Sequence, residues 1–183
     1  MVSIIKKQWY SIVSPKVFDN VIIGEAMTSE PKNLINRVVE SSLADLTKNF
    51  SKFYIKINFK VNKVENEKAF SEFVGHECLR EYISQIIRSG TTRIDSNVIV
   101  TTNDNRKIRV KGILIFSRRV KRSIKSKAIS LIDKIIVDFA AKNNFDDFIK
   151  AMILDDLSKE IKNQCKKLYP VSKVEIRKSR VIG

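Results

Sequence analysis

The sequence predicts an α+β fold: a central β-barrel or strongly curved, mostly antiparallel sheet, flanking helices in the C-terminal third, and a final C-terminal strand. Three observations predict it. Short runs rich in β-branched residues, punctuated by turn signals, fill most of the first two-thirds of the chain. Beyond about Ser123 the apolar spacing becomes that of helices, and at Val171 strict alternation returns. Closely spaced strands followed by helices point to a small barrel or curved sheet with helices packed on it.

The elements follow in order. Gln8–Val13, Val17–Ile23 and Arg37–Leu46 read as strands, with Ser14–Pro15 and Glu30–Pro31 as punctuation. Phe53–Val64 is a half-buried strand, because Phe53, Ile55, Ile57, Phe59 and Val61 alternate with Tyr54, Lys56, Asn58 and Lys60. Phe70–Val74 is another strand, ended by Gly75. Glu77–Arg88 changes period: Leu79, Ile83, Ile86 and Ile87 share one helical face, and Gly90 closes the helix. Thr91–Thr102 and Lys107–Ser117 form a hairpin around the polar turn Asn103-Asp104-Asn105. In its second strand Lys107, Arg109 and Lys111 share the exposed face, about 7 Å apart, and Ile108 and Val110 face inward. Past Gly112 the run Ile113–Phe116 is apolar on both faces, which predicts burial there and a bulge at the glycine. A helix runs from near Ser123 to Lys142, with Ile124, Ala128, Leu131, Ile132, Ile135 and Phe139 inward. Phe145–Leu154, with Asn144 at the cap position, and Asp156–Leu168 give two shorter helices, and Val171–Val181 is the last strand.

With 183 residues, few glycines and prolines, and 43% hydrophobic residues, the chain is long enough for a substantial core, and one domain over 1–183 is expected. Its parts are a β-rich body at 1–117, a helical part at 118–170 and a C-terminal strand and tail at 171–183. Cys78 and Cys165 fit no zinc or disulfide spacing, so both read as small hydrophobes in a reducing cytoplasm. The opening MVSIIKKQWY is too short in its apolar part for a signal peptide. The segment AISLIDKIIVDFAA is broken by Asp133, Lys134 and Asp138, so no membrane partner is expected.

Charge is the most informative feature. Between Asn105 and Ile132 lie Arg106, Lys107, Arg109, Lys111, Arg118, Arg119, Lys121, Arg122, Lys125 and Lys127, with no acid among them, in a chain of net charge +15. Such self-repulsion lowers stability unless an anionic partner relieves it, and a nucleic-acid backbone does so with release of counterions. If the helix begins early, Arg118 with Arg122 and Lys121 with Lys125 make two adjacent cationic ridges. Lys6, Lys7, Trp9 and Tyr10 combine charge with rings, which suits backbone contact and stacking on an unpaired base, although a sole tryptophan is more often a core or staple residue. Lys173, Arg177, Lys178 and Arg180 form a third patch.

Chemistry is not written here. Asp146–Asp147 and Asp155–Asp156 are adjacent pairs that point about 100° apart on a helix and do not converge on a metal. His76 is the sole histidine and has no nucleophile pattern around it; it reads as a polar loop residue. No glycine-rich phosphate loop and no G-x-S-x-G elbow is present. No enzyme activity, cofactor, metal or small-molecule substrate is expected.

Several segments together resemble the S3Ae (eS1) family of archaeal and eukaryotic small-subunit ribosomal proteins. They are KKQWYSIVSPKVF at 6–18, IGEAM at 23–27, ESSLADLT at 40–47, FVGHECLREYI at 73–83, RRVKRSIKSKAIS at 118–130 and ILDDLSKEIKNQCKKLYPVSKVEIRKSRVI at 153–182. The resemblance covers nearly the whole chain, with its segments in the family's order. It implies a structural constituent of the small ribosomal subunit, present as a single copy rather than a homo-oligomer. It further implies binding to small-subunit rRNA near the platform and the messenger exit, neighbouring ribosomal proteins as partners, and a cytoplasmic place. Eukaryotic members carry a basic N-terminal extension and a charged C-terminal tail that this sequence lacks, so it resembles the compact archaeal form. Two rival readings remain, an extra-ribosomal RNA-binding regulator and an RNA-processing nuclease; clustered acids inside the basic region would mark the second, and the region has none.

Overall fold

The computed structural model describes residues 7–182, as two compact units that meet in sequence at His76 and Glu77.

In the first unit β1 (Gln8–Val13) pairs antiparallel with β2 (Ile22–Thr28) and parallel with β5 (Lys68–Cys78). The third strand, β3 (Val38–Ser42), pairs antiparallel with β4 (Ile55–Glu65). Alternation places Tyr10 and Ile12 of β1 inward, where they pack with Leu34, Val61 and Ala69. Phe18 meets the edge of Phe59 at 5.4 Å between ring centres.

Three expectations change here. Val17–Ile23 is not a strand: Lys16–Phe18 is a 3-10 turn, Asp19 and Asn20 take left-handed backbone (φ 61° and 53°), and the strand starts at Ile22. The Arg37–Leu46 strand stops at Ser42, whose hydroxyl accepts the N–H of Ala44 at 3.2 Å and so caps a short helix, α1 (Leu43–Thr47). Gly75 does not end its strand: β5 continues through it, and His76 lies buried in that strand rather than on a polar loop.

The second unit holds α2 (Arg80–Ile86), β6 (Thr92–Thr101), β7 (Lys107–Phe116), α3 (Arg122–Lys142), α4 (Phe145–Ile153), α5 (Asp156–Cys165) and β8 (Val171–Ile182). The strand β7 lies between β6 and β8, antiparallel to both. The hairpin register runs unbroken from Thr92↔Phe116 to Thr101↔Lys107. Against β8 the register slips twice, between Lys111 and Gly112 and again between Ile115 and Phe116. At the first slip Lys111 faces Lys178 and Gly112 faces Ile176, so Arg177 of β8 is the extra residue of a bulge opposite the glycine, rather than in β7 itself. Ile113–Phe116 are fully buried, as the apolar run requires.

Helix α3 packs on β6 and α5 on β8. The buried stripe of α3 is Ala128, Ile132, Ile135, Ile136 and Ala140; Ile124, Leu131 and Phe139 from the expected stripe stay partly exposed. Asn144 occupies the cap position of α4 but makes no side-chain cap bond. The N–H of Phe145 is answered instead by Asp104 Oδ2 at 2.9 Å, from the hairpin turn. Replacing Asp104 by alanine leaves that donor unanswered and is expected to cost about 1 kcal/mol, read as a lower urea midpoint with an unchanged slope.

Among the described residues the strand pairing of neither unit closes on itself, so the fold is α+β without the barrel, with mixed pairing in the first unit and antiparallel pairing in the second. The helices of the C-terminal third and the final strand stand where the sequence put them.

Candidate nucleic-acid interface

Strand β7 builds the main cationic surface. Its inward residues Ile108 and Val110 are fully buried, which fixes Lys107, Arg109 and Lys111 on the opposite face. Antiparallel register then sets Arg109 opposite Arg180 and Lys111 opposite Lys178 on β8. Directly opposed like charges each cost roughly 0.2–1 kcal/mol relative to neutral pairs. Lys107, Arg109, Lys111 and Arg180 have no acidic partner among the described residues. A protein that retains two such pairs side by side has a surface suited to an external anion.

The second cluster, Arg118, Arg119, Lys121, Arg122, Lys125 and Lys127, is exposed throughout. Arg118, Arg119 and Lys121 lie in the link between β7 and α3, which is tied to β6 by the N–H of Val120 on Thr92 Oγ1 at 3.1 Å. Because α3 begins at Arg122 with Lys121 as its cap residue, the two expected helical ridges do not form; Arg118 and Lys121 are outside the helix. The first turn of α3 contains no acid, so these cations face the positive end of the helix dipole with nothing to offset them. The ten residues of β7 separate this link from the hairpin turn by roughly 30 Å, since a strand rises about 3.3 Å per residue.

The remaining expected contacts are placed as follows. Arg106, at the hairpin turn, lies over the ring of Phe145 at 4.5 Å from its centre. In the first unit Lys7 is exposed and Trp9 is 61% exposed, cross-strand from exposed Met27. Tyr10 is buried in the core and is withdrawn from the contact set, because alternation turns it to the face opposite Trp9. Lys6 lies outside the described residues. Lys173 sits over the Tyr82 ring at 4.8 Å from its centre, beside buried Glu175. Burial raises the carboxyl of Glu175 above its ordinary range, opposed by a hydrogen bond from Tyr82 Oη at 2.8 Å.

Two cations the sequence did not single out, Arg80 on α2 and Arg93 on β6, join Lys111, Arg177 and Lys178 around one pocket. Alternation along β6 could have placed Arg93 outward, but no local pattern brings α2 to that face.

No group of three or more His, Cys, Asp or Glu could hold a metal among the described residues. Burial pushes the thiol of Cys78 up to about 12 and that of Cys165 up to about 11, so neither is a nucleophile at neutral pH. No helix among the described residues is long and apolar enough to cross a membrane.

A family model described as the Ribosomal S3Ae family matches residues 3–183. The chain belongs to that family. It is 36% identical over 178 residues to the small ribosomal subunit protein eS1 of Methanobrevibacter smithii, covering 97% of this chain and 92% of that one. Against the eS1 protein of Methanopyrus kandleri it is 36% identical, covering 96% and 85%. Against that of Sulfurisphaera tokodaii it is also 36% identical, covering 96% and 91%. The family is structural and non-enzymatic.

Proposed function

We propose that this protein is a structural constituent of the small ribosomal subunit that binds small-subunit rRNA, near the platform and the messenger exit, in the cytoplasm. Family membership supports the ribosomal role. The observation that carries RNA binding is the opposed cation pairs Arg109–Arg180 and Lys111–Lys178, set on one rigid sheet. Arginine and lysine hold phosphates, and the sheet fixes the register of the RNA that they hold. The acid-free segment at 118–127, made of the link and the start of α3, adds a second anchor roughly 30 Å along β7. One copy per subunit, flanked by other ribosomal proteins, follows from this role.

Sedimentation tests it. Tagged protein from a lysate of its source cells is expected to co-migrate with the small subunit through a sucrose gradient at moderate salt. Affinity of the pure protein for small-subunit rRNA is expected to fall with salt at a log–log slope on the order of −4 to −9, for six to ten neutralised phosphates. Recovery only at the top of the gradient would refute the ribosomal role.

A further inference from the structure

We infer that the pocket between α2 and the outer face of the β6–β7–β8 sheet seats one backbone phosphate of the bound RNA. The pocket has a volume of about 470 Å³ and is lined by Arg80, Arg93, Lys111, Arg177 and Lys178, with Glu77 as the one carboxylate in its wall.

The bulge makes this site. Consecutive residues of a regular strand point to opposite faces, yet Arg177 and Lys178 both line the pocket. The slip at Lys111 and Gly112 leaves Arg177 unpaired in the register and turns it to the side of Lys178.

Partners are then unequally shared. Lys178 is held by Glu77 at 2.6 Å, and Arg93 forks onto Asp95 at 2.7 and 2.8 Å. The Nε of Arg177 is buried and has no hydrogen-bond acceptor; its nearest carboxylate oxygen, on Asp95, is 3.8 Å away. Arg80 and Lys111 have no acidic partner among the described residues. A buried charged donor without an acceptor is costly, and an anion with several acceptor oxygens relieves it. A guanidinium fork matches phosphate with two parallel hydrogen bonds.

The position selects RNA over an acidic peptide. Lys111 and Lys178 belong both to this pocket and to the row that continues through Arg109 and Arg180. A strand with a phosphate in the pocket delivers its next phosphates to that row, whereas an isolated carboxylate leaves it uncompensated. The inference rests on the RNA-binding reading above.

The experiment uses the full chain, small-subunit rRNA, and the charge-preserving variants Arg177→Lys and Arg80→Lys, with Lys159→Arg, at an exposed lysine of α5, as control. Each Arg→Lys change in the pocket is expected to weaken rRNA binding about tenfold at fixed salt, with the salt slope unchanged. Phosphate-ethylation interference is expected to lose one position in both variants and none in the control. Arg80 is exposed on α2, so its variant keeps the test valid if Arg177→Lys fails to fold. Wild-type affinity and an unchanged interference map in Arg80→Lys overturn the inference.

Titration of the free protein with inorganic phosphate, following the Arg177 Nε–H resonance, separates the two readings. A millimolar shift that chloride does not produce supports the pocket even where rRNA binding is absent, and then the RNA reading alone fails. No shift, with no rRNA binding, removes both. Micromolar phosphate affinity with unaltered rRNA binding in the variants would assign the pocket to a free phosphorylated ligand and overturn the RNA phosphate.

Discussion

Reversal of Arg118, Arg119, Lys121 and Arg122 to glutamate is expected to abolish association with small-subunit rRNA without lowering the stability of the fold. All four side chains are exposed, and none has an acidic partner among the described residues, so the fold loses no ion pair there. The α3 terminus should gain. Its cap residue is Lys121, its first residue is Arg122, and its first turn has no acid. Glutamates there interact favourably with the helix dipole, each by about 0.3–1 kcal/mol at low salt. The native cations are therefore placed against local helix energetics, which is sensible only if something outside the chain compensates them. With four phosphate-holding charges inverted, binding at moderate salt is expected to weaken on the order of a thousandfold or more. The checks are thermal melting by circular dichroism, with an equal or higher midpoint, and incorporation into the small subunit, which should vanish. A variant that melts normally and still enters the subunit would show that this link is not an rRNA anchor.

The parts of the fold that the sequence made legible are those in which one face is buried and the other wet. Along β7 the alternation of Lys107, Arg109 and Lys111 with Ile108 and Val110 carried both the strand and the orientation of its cations. The level of the bulge was legible, because the strand changes there from one apolar face to two, but not its strand: the extra residue is Arg177 of β8, and β7 pairs with β6 through Gly112 without a slip. What failed was local competition and long-range assembly. Residues 43–47 are Leu-Ala-Asp-Leu-Thr, mostly helix-compatible, and the Ser42 hydroxyl captures the N–H of Ala44 and starts a helix with Asp45 in its first turn, a capping signal that the strand reading passed over. Trp9 and Tyr10 had to face opposite ways, yet nothing local said which was inward. Nor did any pattern set Arg80, Arg93 and Arg177 around one pocket, since they come from α2, β6 and β8. An open sheet rather than a barrel depends on whether edge strands meet, which no single strand's pattern encodes.

The counterpart of the surface reversal lies on the same strand, facing inward. Phe116 ends β7 fully buried, with its ring edge-on to Tyr169 at 5.6 Å, and it pairs with Thr92 on β6 and Val171 on β8. Beside it the N–H of Ser117 donates to Pro170 O at 3.1 Å, so this end of the three-stranded sheet is closed around the ring. Phe116→Ala removes the ring and leaves a cavity that two paired neighbours on a rigid sheet cannot fill, at an expected cost of about 3–5 kcal/mol. Domains are stable by only about 5–15 kcal/mol, so this one change can consume most of the margin. The two variants then lose rRNA binding for different reasons. The charge reversal binds at no temperature, whereas Phe116→Ala touches no cation and should bind rRNA normally at temperatures where it remains folded. Its binding should be lost along its own melting curve, because Lys107, Arg109 and Lys111 keep their spacing only while β7 is held between β6 and β8. A destabilisation below about 1 kcal/mol in urea would show that the site collapses around the missing ring, and the rigid sheet invoked for the RNA register would have to be given up.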